Sequence, residues 1–280
     1  MKRKRTNSLK LSSQQLNSSS YLDLPDDCWK RVFRLLNDDG DDHYLKSLSV
    51  VSKHFLSVTN HHKFSLTIKY STLPYLPRLL QRFTNLTSFD LSSYYFNLDG
   101  LLTQISCFPL KLTSLNISNQ LILPSNGLRA FSQNITTLTS LVCSNLNSIN
   151  STDLNLIADC FPLLEELNLG CPYKLINHTH SSFPTELEAL SLALFKLRKL
   201  NLSDHYYLND FLLFQLFKNC KFLEKVILHE RHQVTNEGIT RWWVKPQVYG
   251  STEVVKRVSF RQGVMNSINF QQWLEKSFEL

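Results

Sequence analysis

The side chains of this 280-residue chain best suited to metal ligation or to acid–base and nucleophilic chemistry are its nine histidines and six cysteines. Their spacing supports none of these. Cys28, Cys107, Cys143, Cys160, Cys171 and Cys220 form no C-x-x-C pair. Six of the nine histidines occur as His61-His62, His178 with His180, and His229 with His232, without Cys, Asp or Glu at metal-ligand spacing. There is no H-E-x-x-H and no nucleophile elbow. With only seven glycines, no G-x-G-x-x-G or G-x-x-x-x-G-K-[ST] loop is available to cradle phosphates. We therefore expect no catalytic residue, no cofactor and no metal. The chemistry left is binding. Lys199, Lys225, His229, Arg257 and Arg261 form a basic set in the second half of the chain. Tyr94, Tyr95, Tyr206 and Tyr207 come as two pairs, and aromatic side chains at loops make good interface anchors, or brace the loops themselves.

A repeat places these residues. The pattern L-x-x-L-x-L recurs with its first position at Leu86, Leu112, Leu138, Leu164, Leu197, Leu223 and, more loosely, Val255. The steps are 26, 26, 26, 33, 26 and 32 residues. A degenerate copy, Phe64-Leu66-Ile68, precedes them. The alternating apolar residues of each copy fit a strand with one buried face. Between copies, Leu98, Leu101, Leu102 and Ile105, then Leu154, Ile157 and Ala158, then Leu212, Leu213, Leu216 and Phe217, have helical spacing. Asp153 and Asp210 stand where N-cap or first-turn residues belong. Each unit reads as strand, loop, helix, and none can cover its own apolar face, so neighbours must stack. The expected fold is α/β, a solenoid whose strands form a curved parallel sheet with helices outside. In the two longer units, Cys171–Pro184 and Arg231–Gly250, which contains Trp242 and Trp243, are expected to bulge as loops. Phe270, Trp273 and Leu274 could cap the last repeat.

In such strands the residues between the apolar ones face the concave solvent surface. The third position of each copy is Ser88, Ser114, Ser140, Glu166, Lys199, Lys225 and Arg257. The seventh is Ser92, Ser118, Ser144, Gly170, Ser203, His229 and Arg261. The face begins small and hydroxylic and ends basic. An acidic or phosphorylated peptide on Lys199, Lys225, His229, Arg257 and Arg261, with Tyr94 and Tyr206 as anchors, is one expectation. Neutralisation of those cations by Glu166, Glu224 and Glu230 is the other.

Ahead of the repeats, residues 21–62 carry two amphipathic stretches. Pro25, Asp26 and Asp27 suit a helix start. Trp29, Val32, Phe33 and Leu36 follow on one face. After NDDGDD, Leu45, Leu48, Val51 and Phe55 form a second stripe. Two short helices bury little alone and need another helix or a partner groove. Residues 1–20, rich in Ser, Asn, Gln and Lys, are expected to be disordered. Lys2, Arg3, Lys4 and Arg5 supply part of the +7 formal charge. Such a run is a solvated tail, a nuclear address or a weak anionic contact. The first residues have no apolar stretch of signal-peptide type, and no segment approaches the roughly 20 apolar residues of a membrane span. An intracellular protein, nuclear or cytoplasmic, with reduced thiols is expected.

The repeats over about 64–260, and Asp153–Cys171 (DLNLIADCFPLLEELNLGC) in particular, resemble ribonuclease-inhibitor-like leucine-rich repeats with a helix in each unit. The Leu24-Pro25 start, Val32-Phe33 followed by Leu36, and Leu48–Phe55 (LSVVSKHF) resemble an F-box. Together they resemble the F-box/leucine-rich-repeat proteins of plant type, with an F-box over 21–62 and about seven or eight repeats over 63–280. That resemblance implies a non-catalytic subunit of a Skp–cullin–F-box ubiquitin ligase. Leu24, Pro25, Trp29, Val32, Phe33, Leu36, Leu45 and Val51 would dock on the Skp-type adaptor and, through it, the cullin. The repeats would bind the protein target. A leucine-rich-repeat scaffold without ligase activity, and a basic nucleic-acid-binding solenoid, are the competing readings.

Overall fold

In the computed structural model of the chain, each L-x-x-L-x-L copy forms one three-residue strand, around a buried central residue in the copies from Leu86 to Leu223. The structure describes residues 24–37, 43–146, 149, 151–170, 183–205, 208–228, 235 and 257–259. The chain divides into two units, Met1–His62 and Lys63–Leu280. The tail over 1–20, the acidic turn over 38–42, the first twelve residues of the Cys171–Pro184 segment, Trp242, Trp243 and the residues expected to cap the last repeat lie outside the described residues.

The first unit holds three helices, α1 Asp26–Asn37, α2 His43–Ser49 and α3 Lys53–His61. The carbonyl of Pro25 accepts the first helical bonds, from the N–H groups of Cys28 and Trp29. The sequence led to one helix carrying Leu45 through Phe55, and the structure corrects this to two. Ser52 adopts an extended backbone (φ −158°, ψ 165°), and its hydroxyl accepts the N–H of Phe55. A serine so placed satisfies an otherwise unpaired donor and starts a new helix. Val50 and Val51 just before it are β-branched, stiff at χ1 and poor helix formers. Val51 therefore leaves the expected stripe. Phe33 and Val58 form a small core, with Trp29, Leu48 and Phe55 packed against it. The Trp29 ring meets Phe55 edge-on at 4.7 Å and Phe33 at 6.0 Å, and Phe33 meets Phe55 at 5.7 Å.

In the second unit, strands β1 Ser65–Thr67, β2 Ser88–Asp90, β3 Ser114–Asn116, β4 Ser140–Val142, β5 Glu166–Asn168, β6 Lys199–Asn201, β7 Lys225–Ile227 and β8 Arg257–Ser259 form one sheet in chain order. Every neighbouring pair is parallel, and equivalent positions of successive copies lie side by side. Parallel neighbours need a crossover. Between β1 and β7 the crossovers are a 3-10 turn over Tyr70–Tyr75 with α4 Leu76–Arg82, then α5 Leu98–Ser106, α6 Ser125–Asn134, α7 Ser151–Cys160, α8 Phe183–Ala193 and α9 Asp210–Asn219. The unit is an α/β solenoid-like repeat.

Its core repeats as its sequence does. Leu112, Leu115 and Ile117, the first, fourth and sixth positions of one copy, are fully buried, as are Leu102, Ile105, Leu128, Phe131 and Ile157 from the helices. Asn97 and Asn209 cap α5 and α9 by accepting the N–H of Gly100 and Leu212. Asp99, Asp153 and Asp210 sit in first turns. Helix packing is tight at Gly127 of α6, where an added Cβ would lie 2.7 Å from the Asp99 Cα of α5. The Gly127 N–H donates to the Asp99 carboxylate at 2.6 Å. The expected Cys171–Pro184 loop is two residues too long, because α8 starts at Phe183 and takes Pro184 into its first turn, where a missing N–H costs nothing. Among the described residues, no helix is long and apolar enough to cross a membrane.

Candidate functional site

One backbone device repeats along the sheet from β1 to β7. A single carbonyl accepts two successive N–H groups of the next copy. Phe64 takes Thr87 and Ser88, Thr87 takes Thr113 and Ser114, Thr113 takes Thr139 and Ser140, and Thr139 takes Glu165 and Glu166. Glu165 then takes Arg198 and Lys199, and Arg198 takes Glu224 and Lys225. At the early copies a threonine hydroxyl donates to the same carbonyl, from Thr87, Thr113 and Thr139. At the later copies that column is charged.

This register sets the third positions in a row. Ser88, Ser114 and Ser140 are half-buried, Glu166 is partly exposed, and Lys199 and Lys225 are exposed. Lys199 stands directly beside Lys225, and the backbone of Arg257 beside that. The Lys199 ammonium pairs with the Glu166 carboxylate and the Arg198 guanidinium with Glu224. The neutralising partners weighed from the sequence are therefore real for Lys199. Both pairs are exposed, and such pairs contribute only about 0–1 kcal/mol, so neither locks its cation away from another anion. No described carboxylate pairs with Lys225. The side chain of Arg257, and the whole of His229, Arg261 and Tyr206, lie outside what is described.

Among the described seventh positions, Ser92 and Ser144 are half-buried, and three others do not face solvent as expected. Ser118 and Ser203 are only 5% and 8% exposed, and Gly170 is buried. The strand ends at the fifth position, and the chain then turns. The side-chain oxygens of Asp90, Asn116, Asn168 and Asn201 each accept the N–H of the residue two further on, Ser92, Ser118, Gly170 and Ser203, at 3.0 Å. An Asx turn of this kind ends the period-two alternation. Left-handed backbones at Asn119 (φ 63°), Asn145 (φ 58°) and Asp204 (φ 65°) follow it, in a region that Asn and Asp tolerate.

The ninth positions point inward as well. Tyr94 is only 4% exposed, which corrects its expected role as an interface anchor: it braces the loop. Burial raises its pKa. Gln120 and His205 occupy the same place one and four copies later and are buried too. The Gln120 amide donates to the carbonyls of Tyr94 (3.0 Å) and Leu91 (3.5 Å). The His205 Nε2 lies 2.7 Å from the carbonyl of Leu169, the equivalent of Leu91. A carbonyl only accepts, so Nε2 carries the proton. Burial lowers the pKa of His205 to about 4. Buried Cys143 and Cys220 are pushed up to about 12, chiefly by desolvation, which makes them core residues and poor nucleophiles.

In the copies of β2 and β3 the residues after the ninth position turn outward, and of these four the sequence singled out only Tyr95. Tyr95, Phe96, Leu121 and Ile122 are 68%, 59%, 72% and 68% exposed. They are equivalent pairs of consecutive copies, in the loops that follow β2 and β3. Tyr70, after β1, is exposed and meets Phe96 with ring centroids 4.4 Å apart and the planes tilted by 34°. Isolated exposed apolar residues are ordinary, whereas several gathered on one rim form a sticky patch. The signal was available in the sequence as apolar pairs at one offset from the repeat starts Leu86 and Leu112.

In the helical unit, the residues tied by resemblance to an adaptor separate into two groups. Leu24, Val32 and Val51 are exposed, with Leu35 and Val50 also at 64% and 83%, and Pro25 is exposed beside them. Phe33 has no exposed surface and Trp29 is half-buried. Phe33 is thus core, a correction to its assignment as a contact: the three-helix arrangement needs one large side chain at its centre, and Phe33 fills it. The side chains of Leu36 and Leu45 lie outside the described ones. Among the described residues no group of three or more His, Cys, Asp or Glu could hold a metal ion. A scan of the chain against protein-family models finds no match.

Proposed function

We propose that this chain is the target-recruiting, non-catalytic subunit of a Skp–cullin–F-box ubiquitin ligase, its first unit an F-box and its second a run of leucine-rich repeats. One observation carries the reading. Among the described residues, the buried apolar core of the three-helix unit is Phe33 and Val58, and Leu24, Val32, Leu35, Val50 and Val51 are exposed. Helices of 12, 7 and 9 residues that keep so much apolar surface in water suit a role in which another protein covers it. The residues concerned include Leu24, Pro25, Val32 and Val51 of the F-box resemblance. An enzyme of this kind gains rate through proximity, by raising the effective concentration of target beside the ubiquitin-charged partner. No catalytic side chain is then required of this chain.

The test is a pull-down of a Skp-type adaptor with the full chain and with the double variant Leu24→Ala/Pro25→Ala. Both residues are exposed, so the fold persists in the variant, as circular dichroism would confirm. Adaptor capture is expected to fall about tenfold or more, as for loss of central apolar contacts. Capture unchanged by the substitutions would sink the reading.

A further inference from the structure

The second unit carries two unlike surfaces on one sheet. The rim after β1, β2 and β3 presents Tyr70, Tyr95, Phe96, Leu121 and Ile122 to solvent. Four strands further along, exposed Lys199 and Lys225 stand side by side. Like charges on adjacent strands repel, and only Lys199 has a described counter-charge, in Glu166. Between the two surfaces the third positions are half-buried Ser140 and then Glu166, whose carboxylate pairs with Lys199. Neighbouring strands are ~4.8 Å apart, so four strand steps across the sheet alone amount to roughly 20 Å, the reach of about six extended residues.

We infer that the repeat unit takes an extended segment of a partner protein at both ends at once, an apolar pair of the segment on the Tyr95/Phe96/Leu121/Ile122 rim and an acidic cluster on Lys199 and Lys225. The positive row selects the occupant: it requires anions, and a segment joining anions to apolar side chains is protein. The anions are carboxylates or phosphates, since both accept from an ammonium in the same way. The lysines sit on strands locked by paired backbone bonds, so no ordering of the site is needed before binding. The inference rests on the recruiting role proposed above, because it names the chemistry of what is recruited.

The probes are synthetic fluorescent peptides carrying a Leu-Trp pair, a six-residue Gly/Ser spacer and an acidic triplet, made in both chain directions. The triplet is glutamate, phosphoserine or, as a neutral control, glutamine. Binding to the full chain is read by anisotropy. In one direction the complete peptide is expected to bind about tenfold or more tightly than either half alone, as tethered contacts do. Leu121→Asp and Lys225→Glu should each reduce it to the level of a half peptide. Preference between the glutamate and phosphoserine versions tells which anion is meant. Halves that bind as well as the whole, or a Lys225→Glu variant that binds unchanged, would overturn the inference. So would equal or tighter binding of a single-stranded oligonucleotide of the same charge, which makes the row a nucleic-acid contact. Neither variant touches the helical unit, so adaptor pull-down from the same preparations is independent. Peptide binding without adaptor capture removes the ligase reading alone, and adaptor capture without peptide binding removes this inference alone.

Discussion

The early and late copies of the repeat share one backbone and differ in what they show to solvent. Around β2 to β4, the second and third strand positions are Thr87-Ser88, Thr113-Ser114 and Thr139-Ser140. Around β5 to β7, they are Glu165-Glu166, Arg198-Lys199 and Glu224-Lys225. The same paired N–H bonds to a single carbonyl run through both sets. A threonine hydroxyl adds a third bond in the early copies, while exposed ion pairs replace it in the late ones. The frame is thus indifferent to the chemistry of its exposed columns, because register is fixed by backbone and by the buried fourth and sixth positions. That indifference lets one half of a solenoid become a charged surface while the other keeps an apolar rim.

If the frame is common to both halves, damage to it should cost the same in either. Leu141→Ala in an early copy and Leu200→Ala in a late one remove equivalent side chains that are 0% and 1% exposed. Each should destabilise the fold by ~2–5 kcal/mol, measured by urea unfolding of the repeat signal. A loss confined to one half would break the comparison.

A smaller effect separates the two buried polar residues that share the ninth position. Folded His205 stays neutral down to about pH 4 because of its burial, whereas in the unfolded chain it titrates near 6.5. Between those values the unfolded state binds more protons, so stability falls as pH is lowered through that window. Above about pH 6.5 this group contributes no slope. The loss reaches ~3 kcal/mol at the acid end. His205→Gln copies the residue found at position 120, keeps an amide donor and should abolish that part of the pH dependence. An unchanged profile would show that the acid sensitivity lies elsewhere. The smallest effect is expected at the surface. Glu166→Gln should change stability by under about 1 kcal/mol, while sharpening any anion binding at the freed Lys199.

Most of this frame was legible in the sequence, and the reason is steric. Period-two alternation and a recurring step specify a buried face without knowledge of its partners, so even the degenerate Phe64-Leu66-Ile68 copy marks β1. The same rule failed at Ser118, Gly170 and Ser203 because the chain stops being a strand at the fifth position, where Asn116, Asn168 and Asn201 turn it. The reading of Tyr94 as an anchor failed because a tyrosine next to another tyrosine gives no hint which one points inward. In the helical unit, the apolar stripe through Val51 outweighed Ser52, although a serine ahead of an apolar run is a start signal. Phe33 was assigned outward by resemblance, since helical spacing fixes a face and not what that face meets.

The helical unit and the repeat face are proposed to hold different partners, and calorimetric titration of a Skp-type adaptor into the full chain tests that division most directly. The account predicts saturable one-to-one binding, weakened about tenfold or more by Val51→Asp and unchanged by Lys225→Glu. Absence of binding, or binding that Lys225→Glu weakens and Val51→Asp does not, would contradict it.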